Sequence, residues 1–187
     1  EINRMVIVGE LLKRAMKGEI DLLTPAKAVG AELMSIPDFG SVSTDYFEIK
    51  KKMLVNFKKS ILMVAGAAIQ KYMDKFADEQ EIMIALADMI ILTYAAESSL
   101  LRTEKLSETF AEDKLALYKD MTDVFFYDVA GKINKSGVDA VNAFATGDEH
   151  QAMLMGMRRF TKAPNVNSIA ARRRIADYMI EKNQYPF

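Results

Sequence analysis

The chain has 187 residues, 50% hydrophobic and 27% charged, enough apolar material for a packed core and too much for a disordered segment. It has no cysteine and a single histidine, His150, which excludes disulfide frameworks, thiolate metal sites, cysteine nucleophiles and multi-histidine metal centres. Lys and Arg number 25 against 26 Asp and Glu, so a net charge of -1 provides no global field toward nucleic acid or anionic lipid.

Residues 1–17 read as a helix entered in mid-course. Ile2, Met5, Val6, Gly9, Leu12 and Met16 recur three or four apart, with no Ser, Thr, Asp or Asn cap before them. Glu1-Ile2-Asn3-Arg4 carries neither an initiator Met nor the apolar core of a secretion signal, so the chain is expected to be a downstream part of something longer. Its apolar stripe is expected to fold back on the rest of the chain or to pair with another copy. Residues 18–44 read as a connector, because Lys17-Gly18 breaks the period and Pro25, Gly30, Pro37, Gly40 and Ser41-Val42-Ser43-Thr44 follow. One short helix is expected there, with Thr24 as N-cap and Pro25 at the first helical position, ending near Met34.

From Thr44 onward the helical period dominates and no segment sustains strand alternation. The predicted fold class is all-α, an antiparallel helical bundle over residues 45–187. A first long helix, about 45–76, places Tyr46, Ile49, Met53, Phe57, Ile61, Val64, Ala68 and Tyr72 on one stripe, with Lys51, Lys52, Lys58 and Lys59 largely off it. A second, about 79–103, repeats Ile82, Leu86, Met89, Thr93, Ala96 and Leu100. Because Met83, Ile84, Ile90, Ile91 and Tyr94 cover further faces, it is expected at the buried centre. A third opens on the capping box Thr109-Phe110-Ala111-Glu112, turns Leu115, Tyr118, Thr122, Phe125, Val129 and Ile133 inward, and stops near Gly137. Shorter helices are expected at about 138–145, 149–162 and 168–183, the last after Pro164. The 13 methionines read as adaptable core filler. No stretch reaches the roughly 18 uncharged apolar residues of a membrane span.

His150 follows Asp148 and Glu149, but adjacent helical residues point apart, so the trio reads as a surface or capping group rather than a half-site for metal. Nucleotide-binding glycine loops and nucleophile elbows are absent from the sequence. The basic groups Lys50-Lys51-Lys52 with Lys58-Lys59, and Arg158-Arg159 with Arg172-Arg173-Arg174, fan around their helices and read first as solvated faces or ion-pair partners. A second reading keeps Lys51, Lys58, Arg172 and Arg173 as a docking surface for a partner protein or an anionic surface.

Glu1-Ile2-Asn3-Arg4-Met5, followed by Leu11-Leu12-Lys13-Arg14, resembles the acyl-CoA dehydrogenase family. In that family a Glu-Gly-Thr-x-(Gln/Glu/Asp)-x-x-Arg segment lies at the end of the catalytic core, and Glu1 and Arg4 match its last two marked positions. The order of connector, lysine-rich helix, Leu86-Ala87-Asp88 and Tyr94-Ala95-Ala96-Glu97-Ser98-Ser99 is similar to the extra C-terminal helical domain of the very-long-chain group. Together these cover nearly all of the chain, more specifically at the N-terminal motif and more loosely beyond Thr109.

The resemblance implies that residues 1–17 are the last helix of a catalytic-core bundle. It also implies that the parent is an FAD-dependent enzyme removing two hydrogens across the α and β carbons of a fatty acyl-CoA and passing electrons to an acceptor. The catalytic base of the motif would lie upstream of Glu1, so no catalytic residue is expected in this chain and the chain alone is expected to be inactive and flavin-free. Glu1 matches a position that contacts FAD in relatives, though with a carboxylate where many have Gln. The parent would be a homodimer, with this domain in a structural and assembly role. The connector lacks the longer basic segment tied to membrane association, so a membrane is not expected as a partner, and the net charge of -1 leaves nucleic acid unexpected as well. A bacterial cytoplasm is the expected setting, with the mitochondrial matrix as the alternative.

Overall fold

The computed structural model describes residues 1–35, 43–163 and 165–185; Pro37, Gly40, Ser41 and Val42 of the connector, and Pro164, lie outside them. Among the described residues are seven α-helices, one 3-10 turn and no strand. The helices are α1 (Ile2–Met16), α2 (Leu23–Met34), α3 (Tyr46–Tyr72), α4 (Gln80–Leu106), α5 (Glu112–Phe144), α6 (Gly147–Phe160) and α7 (Ser168–Lys182), with the 3-10 turn (Met73–Asp78) joining α3 to α4.

The three long helices set the architecture, and their polar cross-links fix direction and register. Lys51 pairs with Glu104 and Lys58 with Glu97, so each step forward along α3 is a step back along α4 and the two run antiparallel. Between α3 and α5 the order is the reverse. The Tyr46 hydroxyl donates to the Lys119 carbonyl and the Lys71 ammonium to the Phe144 carbonyl, each pair separated by 73 residues. Lys50 and Asp123 keep the same offset, so α3 and α5 run parallel.

The stripe expected on α4 is the centre of the core: Ile82, Leu86, Met89, Thr93, Ala96 and Leu100 are all buried. Met53, Phe57, Val64 and Ala68 of α3 and Phe126, Val129, Ile133 and Val141 of α5 complete it. Each Val, Leu, Ile, Phe or Met among them contributes about 1.5–3 kcal/mol when taken out of water. By length and composition α4 could cross a membrane. Here α1, α3 and α5 pack against it. Its enclosure is incomplete: Ile91 and Tyr94, expected to be covered, are exposed, as is Leu101.

α1 lies against α4, with Val8 buried and Leu12 packed on the core. Ile2, Val6 and Met16 of its sequence stripe are exposed. It ends where Gly18 takes a positive φ of 72°. The Glu19 N–H then donates to the Arg14 carbonyl and the Gly18 N–H to Ala15, the paired bonds of a left-handed helix stop. α2 begins earlier than expected. Leu22, not Thr24, is the N-cap position, and Asp21 just before it accepts the Thr24 N–H at 3.0 Å, a bond that holds the Asp21 carboxyl below its usual range. Pro25 keeps a place in the first turn, where a missing N–H costs nothing. α2 packs on α3 and α6 and buries Val29, so this part of the segment read as connector is core-bearing.

Two expectations for α5 are corrected. The capping box does not form: Ala111 is the N-cap without a side-chain bond, and the Thr109 hydroxyl donates backward to the Leu106 carbonyl. The helix also runs unbroken through Gly137 to Phe144. Gly137 is a close-approach residue, because a Cβ there would lie 2.3 Å from Met157 Cε and 2.7 Å from its Sδ. Phe126 is fully buried, and Phe125, expected inward, is partly buried against the core. α7 starts on Asn167, whose side chain accepts the Ala170 N–H, and closes on Asn183 in the left-handed conformation. It lies on α5 through Arg172 with Asp128 and Arg174 with Asp120.

Gly137→Val should lower stability by about 1–3 kcal/mol, since the end of the fully buried Met157 side chain must shift within the core to admit it. Gly131→Ala, on the same helix with open space at its Cβ, should raise it by about 0.5–1 kcal/mol. Urea unfolding of the two variants checks both signs.

Candidate functional site

The lysine triplet on α3 divides between surface and core. Lys50 follows the inward spacing to Met53 and Phe57, and it is only 2% exposed. Its ammonium sits 2.6 Å from Asp123 and about equally far over the Tyr46 and Phe126 rings, at 5.5 and 5.2 Å. A cation so placed is stabilised by a carboxylate and two aromatic faces together. The Tyr46 hydroxyl is pushed far above its usual range, mainly by burial and next by Asp123, so it remains a neutral donor to the Lys119 carbonyl. Below this group the Thr103 and Thr122 hydroxyls share a 2.8 Å bond, and Thr122 donates to the Tyr118 carbonyl. No buried side-chain N or O among the described residues lacks a partner. A fully satisfied cluster of this kind sets helix register and offers no free acid or base.

The four residues proposed for docking do not share one seam. Lys51 and Lys58 lie along the α3–α4 seam, 2.5 Å from Glu104 and 2.7 Å from Glu97. Glu104 holds the Lys51 ammonium above its usual range. Arg172 lies on the α5–α7 seam and grips both oxygens of Asp128 at 2.7 and 2.8 Å, while Arg173 is exposed beside it. Three of the four are thus engaged in joining helices.

Glu1 precedes α1 without capping it and points a largely exposed carboxylate at Arg4, 3.3 Å away. Arg4 reaches on to Asp88 of α4 at 2.6 Å, and this carboxylate is the main reason its guanidinium is held above the usual range. A carboxylate at Glu1 can accept from a hydroxyl or amide of a cofactor but repels phosphate. Arg4, the cation beside it, is engaged by Asp88. These residues therefore do not make a flavin site on their own. His150 Nε2 meets Asn142 Oδ1 at 2.7 Å, tying the start of α6 to the end of α5. Among the described residues no group of three or more His, Asp or Glu could hold a metal ion.

Two concavities among the described residues bear on binding. An apolar trough of about 1450 Å³ runs between α1, α2, α3 and α6, lined by Leu12, Leu33, Leu62, Met63 and Met153 among others. A more polar cleft of about 990 Å³ lies between α1, α4, α5 and the end of α6. Neither was visible in the sequence, since each is assembled from residues far apart in the chain.

Residues 56–159, from mid-α3 to the end of α6, match the family described as acyl-CoA dehydrogenase, C-terminal domain. A probable acyl-CoA dehydrogenase of Bacillus subtilis (strain 168) is 32% identical over 189 aligned residues, covering 99% of this chain and 31% of that protein. The crystal structure of an acyl-CoA dehydrogenase complexed with FAD from Bacillus anthracis matches with a TM-score of 0.91 at 35% identity, covering 100% of this chain and 32% of that one. The chain spans about a third of the length of these relatives.

Asp123→Ala should cost about 3–5 kcal/mol, because it strands the buried Lys50 ammonium. Lys50→Met should cost less than half as much, since it leaves only Asp123, a carboxylate 25% exposed to water. Chemical denaturation of both variants tests the order, and equal losses would show that burial of Lys50 is not what makes the pair expensive to break.

Proposed function

The chain belongs to the acyl-CoA dehydrogenase C-terminal-domain family, and on that footing we propose that it is the helical C-terminal portion of an FAD-dependent fatty acyl-CoA dehydrogenase. The parent desaturates the acyl chain between its α and β carbons and passes electrons to an acceptor. The observation that carries this proposal is the match of the whole chain to about a third of an FAD-complexed acyl-CoA dehydrogenase. Flavin, when bound to the parent, supplies the two-electron chemistry. The side chains described here hold and orient, and no proton or hydride step is assigned to any of them.

The role of this portion is packing and assembly in a homodimeric parent. α1 carries a broad apolar arc: Val8 and Leu12 turn to the bundle, while Ile2, Val6 and Met16, farther round the same arc, are left exposed. An apolar arc wider than the bundle covers suits a place between two layers. We take α1 as the helix shared between this bundle and the catalytic core, latched to the bundle by Arg4 and Asp88. Both named relatives come from Bacillus species, which supports a bacterial, cytoplasmic setting.

The full-length parent, once purified, should carry flavin absorbance and reduce an artificial electron acceptor in the presence of long-chain acyl-CoA. A parent with neither bound flavin nor turnover would sink the proposal. The 187-residue chain purified alone should show no flavin absorbance.

A further inference from the structure

The polar cleft between α1, α4, α5 and the end of α6 has the volume of a small-molecule site, about 990 Å³. Its charges are unevenly matched. Two carboxylates line it, and each is neutralised by an arginine: Asp88 by Arg4 at 2.6 Å, and Asp128 by Arg172 through two bonds. Two cations line it, Lys132 and Arg158, with no carboxylate partner among the described residues. Lys135 adds a third positive group at the edge, though it pairs with Asp139 on its own helix. The field left inside the cleft is therefore cationic.

The remaining wall is apolar and aromatic. Tyr127 and Ile91 line the same cleft as the unpaired cations and are 45% and 41% exposed, apolar surface left bare within it. Spacing across the cleft is fixed by a cross-link, since the Asn134 amide of α5 donates to the Thr161 hydroxyl just past α6 at 2.8 Å. Lys132 and Arg158 thus stand on two helices held in a set relation.

We propose that this cleft binds a nucleotide-class anion, with its phosphates on Lys132 and Arg158 and its planar ring against Tyr127 and Ile91. Guanidinium and ammonium groups are the natural phosphate ligands, and an aromatic face accepts any base by stacking. The site is independent of the redox reading, because it uses only residues of this chain and asks nothing of a flavin.

Calorimetric titration of the 187-residue chain at low salt tests it, with ATP, inorganic tripolyphosphate and adenosine as probes. ATP should bind, tripolyphosphate about tenfold more weakly for want of the ring, and adenosine more weakly still. Lys132→Glu with Arg158→Glu should weaken ATP by tenfold or more, roughly, and flatten its salt dependence. Both positions are exposed and unpaired, so the thermal melt should be retained; Lys132→Gln with Arg158→Gln gives the same comparison without charge reversal. Tyr127→Ala should abolish the preference for ATP over tripolyphosphate, and Lys52→Glu, on exposed α3 surface, should change nothing. No ATP binding at millimolar concentration, or binding unchanged in the double variants, would overturn the site. Equal binding of tripolyphosphate and ATP would overturn the nucleotide class.

Discussion

The ion pair between Lys50 and Asp123 is the constraint on which the packing of the long helices turns. Taking an ammonium out of water is costly, and a pair of this kind adds little net stability over a well-packed apolar substitute. What it adds is register. Lys50 meets Asp123 at the same offset of 73 residues that joins Tyr46 to Lys119 and Lys71 to Phe144, so α3 and α5 are pinned near both ends and once between. Slipping α5 by four residues would set Lys119 or Tyr127 opposite the buried ammonium. The first brings like charges together and the second leaves the cation without a counter-charge. The observed alignment makes all three links at once, and with α3 and α5 fixed the groove that receives α4 is fixed as well.

How far the sequence reveals this depends on whether a signal is local. The α4 stripe is legible because six apolar or small positions recur over a long helix and all six are buried. The division of the lysine triplet is harder to see. Neighbours on a helix point about 100° apart, so Lys50 can be core while Lys51 and Lys52 are surface. The run looks uniform until Met53 and Phe57 are used to set the phase. Gly137 misleads for the opposite reason. A glycine near the end of a periodic segment is a fair sign of a helix stop, but its real determinant is Met157 on α6, twenty positions away. At Thr109 the local pattern was satisfied in letter, yet its hydroxyl had a competing acceptor in the last turn of α4. The bond from the Thr24 N–H to Asp21 was missed because Thr24 beside Pro25 made the more conspicuous start.

The same distinction governs the sites. Family membership is written in segments, and the match over residues 56–159 lies in the helices whose apolar pattern was clearest. Charge pairing is not written that way. Lys51, Lys58 and Arg172 look like free cations in the sequence, and their partners Glu104, Glu97 and Asp128 lie on other helices. Lys132 and Arg158 look no different, and only the fold shows that they line a common cleft whose carboxylates are already taken.

α1 connects these levels. Its residues Glu1 and Arg4 carry the sequence resemblance, its Arg4 pairs with Asp88 of α4, and its apolar arc runs past what the bundle covers. Apolar helix surface in excess of the packed face is unfavourable in water unless something covers it. Arg4 and Asp88 bear on that balance, because a partly exposed ion pair contributes more to orientation than to affinity. It fixes which side of α1 meets α4 and so which side is presented outward. The orientation of the shared helix toward the proposed catalytic core is thereby set from within the C-terminal bundle.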